Sequence, residues 1–540
     1  MPKSTVEAQP ESSPTFRKSH AVGIVGVLTV VVAVFGYLRE ASLAARFGIS
    51  TTMDAYFAAI FIPNILYVVV ITGMLSPIFI PILMQESAIE DRDRASETFS
   101  HVANFVLLLL VAACAVCAVT ARYWLFWLFG GFDNATKTLA VQLTYIIFPA
   151  VIFLAVSGIL TAVLNGFHRF ALAAFAPALG SIAVISGVAL ARGPSGVYVV
   201  AVATAAGFLA QFLVLVPLTR SLGIRYRPVL NLKHPAIGKL LRLGIPLFLY
   251  MAVANAAGLL ERNLASHLSA GAVSTLSYAL RLFLVPANFM VAPLATVVYP
   301  GLAREAAREN YEELRKQVSR TLRVVFLLFL PATVFVALNA LPITRLLYER
   351  GQFHFQDSFI TARVLAIYSA AILPYSATVI ALRCLYAMQD TVLPLKAEVI
   401  NLAYFAVVAI VLTQRYGLLG LAVGRTTTFF LVAAIVLGVL GKRLELLHWD
   451  GETASFLLRT AAATIGMGVL SWLGWHFSEP VFNSGKTFLR LAIVAFQIVI
   501  SGSAYAAMAI ALRLNEARGI LATVRDFLSG GIARINGSTA

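Results

Sequence analysis

The first half of this 540-residue chain recurs in its second half. The stretch Leu38–Pro81 is echoed about 220 residues later by Leu260–Pro300, and an ionisable pair lies inside the apolar segment both times. The two pairs are Arg39-Glu40 and Glu261-Arg262. Duplicated membrane-spanning halves with charge inside the apolar layer are a common construction of transporters. The repeat therefore predicts a translocation pathway between two lobes.

The composition places the chain in the membrane. Hydrophobic residues make up 60% of it, charged residues 12%, and the mean hydropathy is +0.86. Apolar runs near the bilayer length of about 20 residues recur throughout. We predict an all-α polytopic membrane protein with about 14 transmembrane helices. These spans lie near 21–47, 54–83, 101–128, 138–163, 170–191, 197–219, 240–266, 272–300, 322–347, 358–387, 393–414, 417–441, 454–477 and 487–512.

The repeat divides these spans into two six-helix lobes in parallel orientation, followed by two helices that have no counterpart in the repeat. The predicted segments are a cytoplasmic tail (1–20), the first lobe (21–219), a cytoplasmic connector (220–239), the second lobe (240–441), spans 13 and 14 (442–512) and a cytoplasmic amphipathic tail (513–540). The role of spans 13 and 14 stays open at this point.

The formal net charge of +16 reports topology. Lys and Arg concentrate in Arg220–Arg242, Arg304–Arg323 and Arg513–Arg534. This positive-inside pattern predicts that both termini are cytoplasmic. Basic segments beside spans also contact anionic headgroups, so membrane lipids are the expected partners of this charge, and no nucleic-acid partner is expected.

Three arginines inside the predicted spans are candidates for substrate binding: Arg39, Arg262 and Arg281. A charge near the bilayer centre costs roughly 2.5–3.5 kcal/mol on insertion scales, so it normally faces protein or a wet cavity. Guanidinium groups bind phosphate bidentately, which favours an anionic, phosphate-bearing substrate. The alternative is that these arginines pair with Glu40, Asp54 or Glu261 and hold the helices in register.

The second span carries further polar candidates, Asp54, Asn64 and Ser76, beside the helix breakers Pro63 and Gly73. The membrane tolerates such breakers where neighbours or water satisfy the backbone. We predict a bent helix whose polar residues line or gate a lateral opening, although a kink with no gating role is equally compatible with this pattern.

Spans 11 and 12 contain another polar group, Glu398, Asn401 and Arg425. An internal ion pair between Glu398 and Arg425 is one interpretation, and a coupling-ion or proton site is the other. The chain has no Walker A, H-E-x-x-H or G-x-S-x-G motif, so no enzyme, cofactor or metal is expected. A polyprenyl-linked glycosyltransferase would call for a large soluble loop, and a non-transporting scaffold stays an alternative.

Several motifs resemble those of one family. They are Gly36-Tyr-Leu-Arg39-Glu, Ala44-Ala-Arg-Phe-Gly48, Asp54-Ala-Tyr-Phe, Ile62-Pro-Asn-Ile-Leu66, Leu164-Asn165-Gly166, Tyr278-Ala-Leu-Arg281-Leu and Tyr348-Glu-Arg-Gly-Gln-Phe353. In this order the set resembles the MurJ/MviN family of bacterial lipid II flippases, in the multidrug/oligosaccharidyl-lipid/polysaccharide exporter superfamily. The resemblance covers residues 21–440.

The resemblance implies an inner-membrane flippase that moves lipid II, a lipid-linked diphosphate glycan, to the periplasmic leaflet by alternating access. We expect the protein to be a monomer. Arg39 and Arg281 would bind the diphosphate. The chain departs from the family at Ala33, where the flippases carry an arginine, and at Tyr67, Val68 and Thr72, where they carry charged residues.

Some members bind sodium through an Asn that matches Asn401 and an Asp one turn later, where this chain has Phe405. A similar sodium site is therefore doubtful, and Arg425 could replace the ion. The departures leave a flippase for another lipid-linked oligosaccharide or exopolysaccharide unit as the nearest alternative. A multidrug cation antiporter is less favoured because Arg39 and Arg281 would repel its cargo.

Overall fold

The computed structural model describes residues 14–68, 92–167, 169–193, 195–222, 226–286, 290–445, 451–484 and 486–519. These residues form helices and connecting turns, with no β-strand among them. The helices are α1 (Pro14–Phe47), α2 (Thr51–Tyr67), α3 (Arg92–Val119), α4 (Ala121–Leu128), α5 (Asn134–Gly166), α6 (Phe170–Leu190), α7 (Gly196–Arg220), α8 (Pro235–Ser266), α9 (Ala272–Pro286), α10 (Ala292–Ala307), α11 (Tyr311–Leu338), α12 (Ala340–Tyr348), α13 (Phe355–Ser369), α14 (Ile372–Ala387), α15 (Val392–Arg443), α16 (Gly451–Ser484) and α17 (Thr487–Ala511).

Within the described residues, nine helices are long and apolar enough to cross a membrane, or up to eleven if each of two bent pairs is one span. The all-helical membrane fold predicted from composition is therefore confirmed. One bent pair lies within α8, and the other consists of α13 and α14, which meet at 45°. Backbone groups inside a bilayer must be satisfied within the segment, and this is why long apolar runs adopt helices.

The remaining predicted spans are traceable in the helices. Gly417 has φ 58° and ψ −134°, a left-handed conformation that glycine adopts without steric cost, and it breaks α15 between the predicted spans 393–414 and 417–441. The predicted span 272–300 is formed by α9 and α10. The predicted span 54–83 begins as α2 and then continues into 69–91, which lie outside the described residues.

The chain divides into two compact units. The first unit comprises residues up to Arg46 together with Ala55–Trp127 and Asp133–Met251. Its core lies among α3, α5, α7 and the start of α8, where Val106, Val163 and Ile237 are buried.

The second unit comprises everything from Ala252 onward and two short segments from the first half, Phe47–Asp54 and Leu128–Phe132. One of its cores is formed by residues of α10, α11, α14 and α15, including the buried Leu302, Val318 and Val436.

The helix pair α16–α17 is attached to the rest of the second unit by polar contacts at three levels. Arg323 of α11 donates a hydrogen bond to Glu452 at 2.8 Å. At the end of α11, the buried Asn339 amide donates to the Ser471 hydroxyl at 2.8 Å. Arg490 of α17 donates to Glu349 at 3.0 Å. Polar contacts of this kind specify a register that apolar packing alone leaves variable.

Candidate functional site

Arg39, the first candidate for phosphate binding, lies on α1 in the first unit. Its Nη2 donates to Oε1 of the neighbouring Glu40 at 2.7 Å. The Glu40 side chain is 5% exposed and that of Arg39 is 27% exposed. The pair reduces the cost of charge in an apolar span. Glu40, one of the acidic partners that the sequence suggests for these arginines, therefore lies beside Arg39.

Asp54 bonds to backbone rather than to an arginine. Its two carboxylate oxygens accept the N–H groups of Gly271 and Ser274, each at 2.7 Å. These N–H groups lie at the start of α9, where the helix dipole favours a negative charge. Gly271 has φ +86°, and a Cβ there would come within 2.1 Å of Ile49. The start of α2 is thus held closely against the start of α9 within the second unit.

The second ionisable pair is built differently from the first. Glu261 of α8 is buried, and it accepts a hydrogen bond from the Tyr368 hydroxyl at 2.6 Å. Its other oxygen lies 3.8 Å from Nε of Arg425. The Arg425 guanidinium also lies over the rings of Phe405 and Phe429, at 5.6 and 5.1 Å. This ion pair differs from the Glu398–Arg425 pair that the sequence suggests.

Arg262 and Arg281 lie in the same part of the second unit. Nη1 of Arg262 donates to the Gly258 carbonyl at 3.2 Å. Arg262 is also within electrostatic range of Arg281, Arg425 and Glu261. The Arg281 side chain is exposed on α9. The structure therefore brings three guanidinium groups into one region, which concentrates positive potential there.

The other polar candidates of the second lobe lie beside this region. Asn401 donates through Nδ2 to Glu398 at 3.1 Å. Asn401 is 6% exposed, and its Oδ1 is buried without a hydrogen-bond partner among the described residues. Glu398 lies within electrostatic range of Arg425. In the described part of the chain, no three His, Cys, Asp or Glu side chains form a group that would hold a metal.

Two candidates from the second span remain. Asn64 is half-buried on α2, directly after Pro63. Ser76 lies in 69–91, outside the described residues. The sequence does not single out Tyr368, because a tyrosine in an apolar helix carries no signal of a partner 107 residues away.

Comparisons with known proteins agree with this architecture. A family model described as the lipid II flippase MurJ matches residues 43–493. The lipid II flippase MurJ of Burkholderia cenocepacia is 28% identical over 489 residues, which cover 89% of this chain and 94% of that protein. The probable lipid II flippase MurJ of Haemophilus influenzae is 27% identical, with 91% and 99% covered.

Solved structures show the same fold. A lipid II flippase MurJ in an inward closed conformation has a TM-score of 0.76 at 22% identity and covers 91% of this chain and 98% of that one. An inward-facing MATE family multidrug resistance transporter has a TM-score of 0.66 at 14% identity, with 79% and 99% covered. Because the family model spans most of the sequence, this multi-pass membrane protein belongs to the family of the lipid II flippase MurJ.

Proposed function

We propose that this chain moves lipid II, the undecaprenyl-diphosphate-linked precursor of peptidoglycan, from the cytoplasmic to the periplasmic leaflet of the bacterial inner membrane. The family match over residues 43–493 carries the proposal. The Lys and Arg distribution supports an orientation with both termini in the cytoplasm. The protein acts as a monomer made of two six-helix lobes.

Arg39 and Arg281 bind the diphosphate in this proposal, and Arg262 adds to the positive potential around Arg281. A guanidinium forms two parallel hydrogen bonds with a phosphate, so it recognises both the charge and the shape of the group. Three observations support this role: Arg281 is exposed, Arg39 is partly exposed, and Arg262 lies within electrostatic range of both Arg281 and Arg425.

Asp54 stabilises one of the alternating states. Its bonds to Gly271 and Ser274 connect the two repeats directly and are made by a carboxylate, so they are stronger than neutral hydrogen bonds. A ligand shifts a two-state equilibrium only through contacts that differ between the states, and breaking these two bonds supplies such a difference. Asn64 and Ser76 line the lateral opening through which the lipid enters.

Glu398, Asn401 and Arg425 form the ion-pair or coupling group. Arg425 lies beside one buried carboxylate and within electrostatic range of another, Glu398. A permanently charged guanidinium can compensate either carboxylate without a bound ion. We therefore expect transport to proceed without a requirement for sodium.

The test is complementation of a bacterial strain depleted of its own lipid II flippase. We expect the wild-type chain to restore growth, and Arg39→Ala and Arg281→Ala to fail at matched membrane levels. Arg315→Ala is the control, because Arg315 lies in the loop-proximal turn of α11 beside the exposed Glu445. Its rescue should equal that of wild type.

A failure of the wild-type chain, when it is inserted and abundant, would overturn lipid II as the cargo. The chain would then be tested for complementation of strains that lack the flippases of other polyprenyl-linked glycans. Rescue by both arginine variants at the wild-type level would instead retain the cargo and overturn the assigned binding residues.

A further inference from the structure

The connector between the two halves lies against α3 and is held there by side chains. The Asn104 amide donates to the carbonyls of Arg227 and Val229, at 3.0 and 2.8 Å, and its oxygen accepts the Tyr226 hydroxyl at 2.6 Å. Ser100 accepts the N–H of Arg227 at 2.9 Å. One face of α3 thus satisfies the backbone of an extended segment.

A buried histidine completes this attachment. His101, 6% exposed, accepts the N–H of Asn231 through Nδ1 at 3.1 Å. The Asn231 side chain in turn accepts the N–H of Lys233 at 3.0 Å. In the segment 226–234, which we name the strap, the attachment at Asn231 is therefore made through one ring nitrogen.

A second histidine ends the strap in the same chemical role. His234 directly precedes α8, and its Nδ1 accepts the N–H of Ala236 at 3.3 Å. It caps the first turn of that helix, where N–H groups lack intrahelical partners. The rings of His101 and His234 are 4.8 Å apart between centroids and tilted by 34°.

Both contacts require neutral imidazole. A ring nitrogen that accepts an N–H hydrogen bond carries no proton, so in each ring the single proton resides on Nε2. Protonation would place a second ring N–H directly against a backbone N–H. Two adjacent imidazolium rings would also repel each other. Histidine is the side chain whose ordinary titration falls between about pH 5 and pH 8.

We propose that His101 and His234 form two acid-sensitive hydrogen-bond contacts that hold the strap on α3 and cap α8 at neutral pH. Acidification on the strap's side of the membrane, which is cytoplasmic in the proposed topology, protonates the rings and releases both attachments. α8 contributes residues to both compact units, with the division at Met251. The released element is therefore the start of the helix that the two units share.

The neighbouring charges oppose one another. Glu97 lies 3.6 Å from Nε2 of His101, and the Glu97 side chain is 56% exposed, so solvent weakens the interaction between them. Arg227 and Lys233 add positive charge to the strap. Each ring is also a titratable neighbour of the other, with 4.8 Å between their centroids.

The direction in which attachment of the strap depends on pH follows from the charge state that the two rings require. A group that must be neutral in the attached state supports attachment at high pH, and its contribution is lost as the pH falls through its titration. Hydrogen exchange of the full-length protein in nanodiscs, corrected for the intrinsic rate, measures this at about pH 7.5 and about pH 5.5. We expect peptides covering 226–238 to exchange about tenfold faster at the lower pH.

Matched variants separate titration from packing. The double variant His101→Asn/His234→Asn keeps an acceptor oxygen near each Nδ1 position but cannot titrate, so the acid response should disappear. Asn104→Ala should loosen the strap equally at both pH values. His476→Asn, on the stacked Trp472–His476 pair of α16, should leave the wild-type response unchanged.

An unchanged exchange rate of 226–238 in the wild type between the two pH values would overturn the proposal. An acid response of equal size in the His101→Asn/His234→Asn variant would also overturn it. The measurement does not use transport, so its outcome is independent of the identity of the cargo.

Discussion

The two ionisable pairs of the repeat occupy corresponding positions but are stabilised in opposite ways. In the first copy, Arg39 is neutralised by the adjacent Glu40 at 2.7 Å, on the same helix. In the second copy, Glu261 is bound by Tyr368 and Arg425, which come from helices more than 100 residues later. The first pair is local and its arginine is partly exposed, whereas the second is part of a buried network.

This difference shows how a duplicated element acquires two roles. The order of acid and base differs between the two copies. In the second copy it is the carboxylate of Glu261 that contacts the later helices. A carboxylate there can recruit a tyrosine and an arginine, whereas a guanidinium at the corresponding place would repel Arg425. The second copy is thereby committed to an internal network, while the first retains a partly exposed guanidinium suited to an anionic ligand.

The largest expected effect comes from Arg425→Ala. Removing one partner of a buried ion pair leaves the other charge uncompensated, at a cost of about 3–5 kcal/mol in the free energy of unfolding. Chemical unfolding of the purified protein measures it. The double variant Glu261→Gln/Arg425→Ala should recover much of the loss, and Arg415→Ala, exposed on the same helix, should cost little. Without that recovery, the two residues do not act as a pair.

Tyr368→Phe should have the next largest effect. It removes a hydrogen bond to a charged acceptor, worth about 1.5–3 kcal/mol, and leaves the ring packing in place. Tyr416→Phe is the matched control, because Tyr416 is 65% exposed. A loss in Tyr368→Phe no larger than in this control would mean that Glu261 depends on Arg425 alone.

Glu40→Gln should cost about 1 kcal/mol, less than either change in the second network. The amide oxygen still accepts from Arg39, whose side chain is 27% exposed and reaches water when the charge is lost. Thermal unfolding of the Glu40→Gln and Arg425→Ala variants in the same buffer measures the difference between their losses of stability. Equal losses in the two variants would contradict the contrast between a local pair and a buried network.

The smallest effect is expected for an ion pair outside both copies, between Asp390 and Arg443 at 2.6 Å. Burial opposes the shift, but hydrogen bonds from Leu393 N–H, Arg443 and Val392 N–H lower the pKa of Asp390 below its ordinary 3.8. Its stabilising contribution is present above the unfolded pKa and is lost as the pH falls through the folded pKa.

Asp390→Asn should therefore cost up to about 1 kcal/mol at neutral pH and nothing in strong acid. Unfolding followed at about pH 6 and about pH 3 in the wild type and the variant measures the difference. A cost of equal size at both pH values would show that the charge of the carboxylate is not its cause.

The helical membrane fold and the positions of most spans follow from the sequence, because bilayer length and backbone satisfaction leave few other solutions. The break at Gly417 also coincides with the predicted division between two spans. The partners of the charged residues do not follow in the same way. Pairing depends on helix rotation, and apolar faces toward lipid and toward protein have similar compositions in a span.

Asp54 illustrates this limit. Its position in an apolar segment indicates a partner, and an arginine is the obvious choice, yet the carboxylate accepts two backbone N–H groups that have no side-chain signature. For Arg425 the sequence suggests Glu398, 27 positions earlier, as a partner, and the structure adds an ion pair with Glu261 that the sequence does not indicate. Only the three-dimensional path of α8 brings that carboxylate within reach.

The contact between Asn339 and Ser471 has a consequence for biosynthesis. The two residues are 132 positions apart, so Asn339 enters the membrane long before its buried partner exists. At synthesis rates of about 5–20 residues per second, the interval is roughly 7–26 s. During that time, of its two partners in the structure, the Asn339 amide has only the Phe335 carbonyl of its own helix, at 2.9 Å. The pair α16–α17 thus supplies the partner of a residue that was synthesised much earlier. The packing of the second unit is therefore finished late in synthesis.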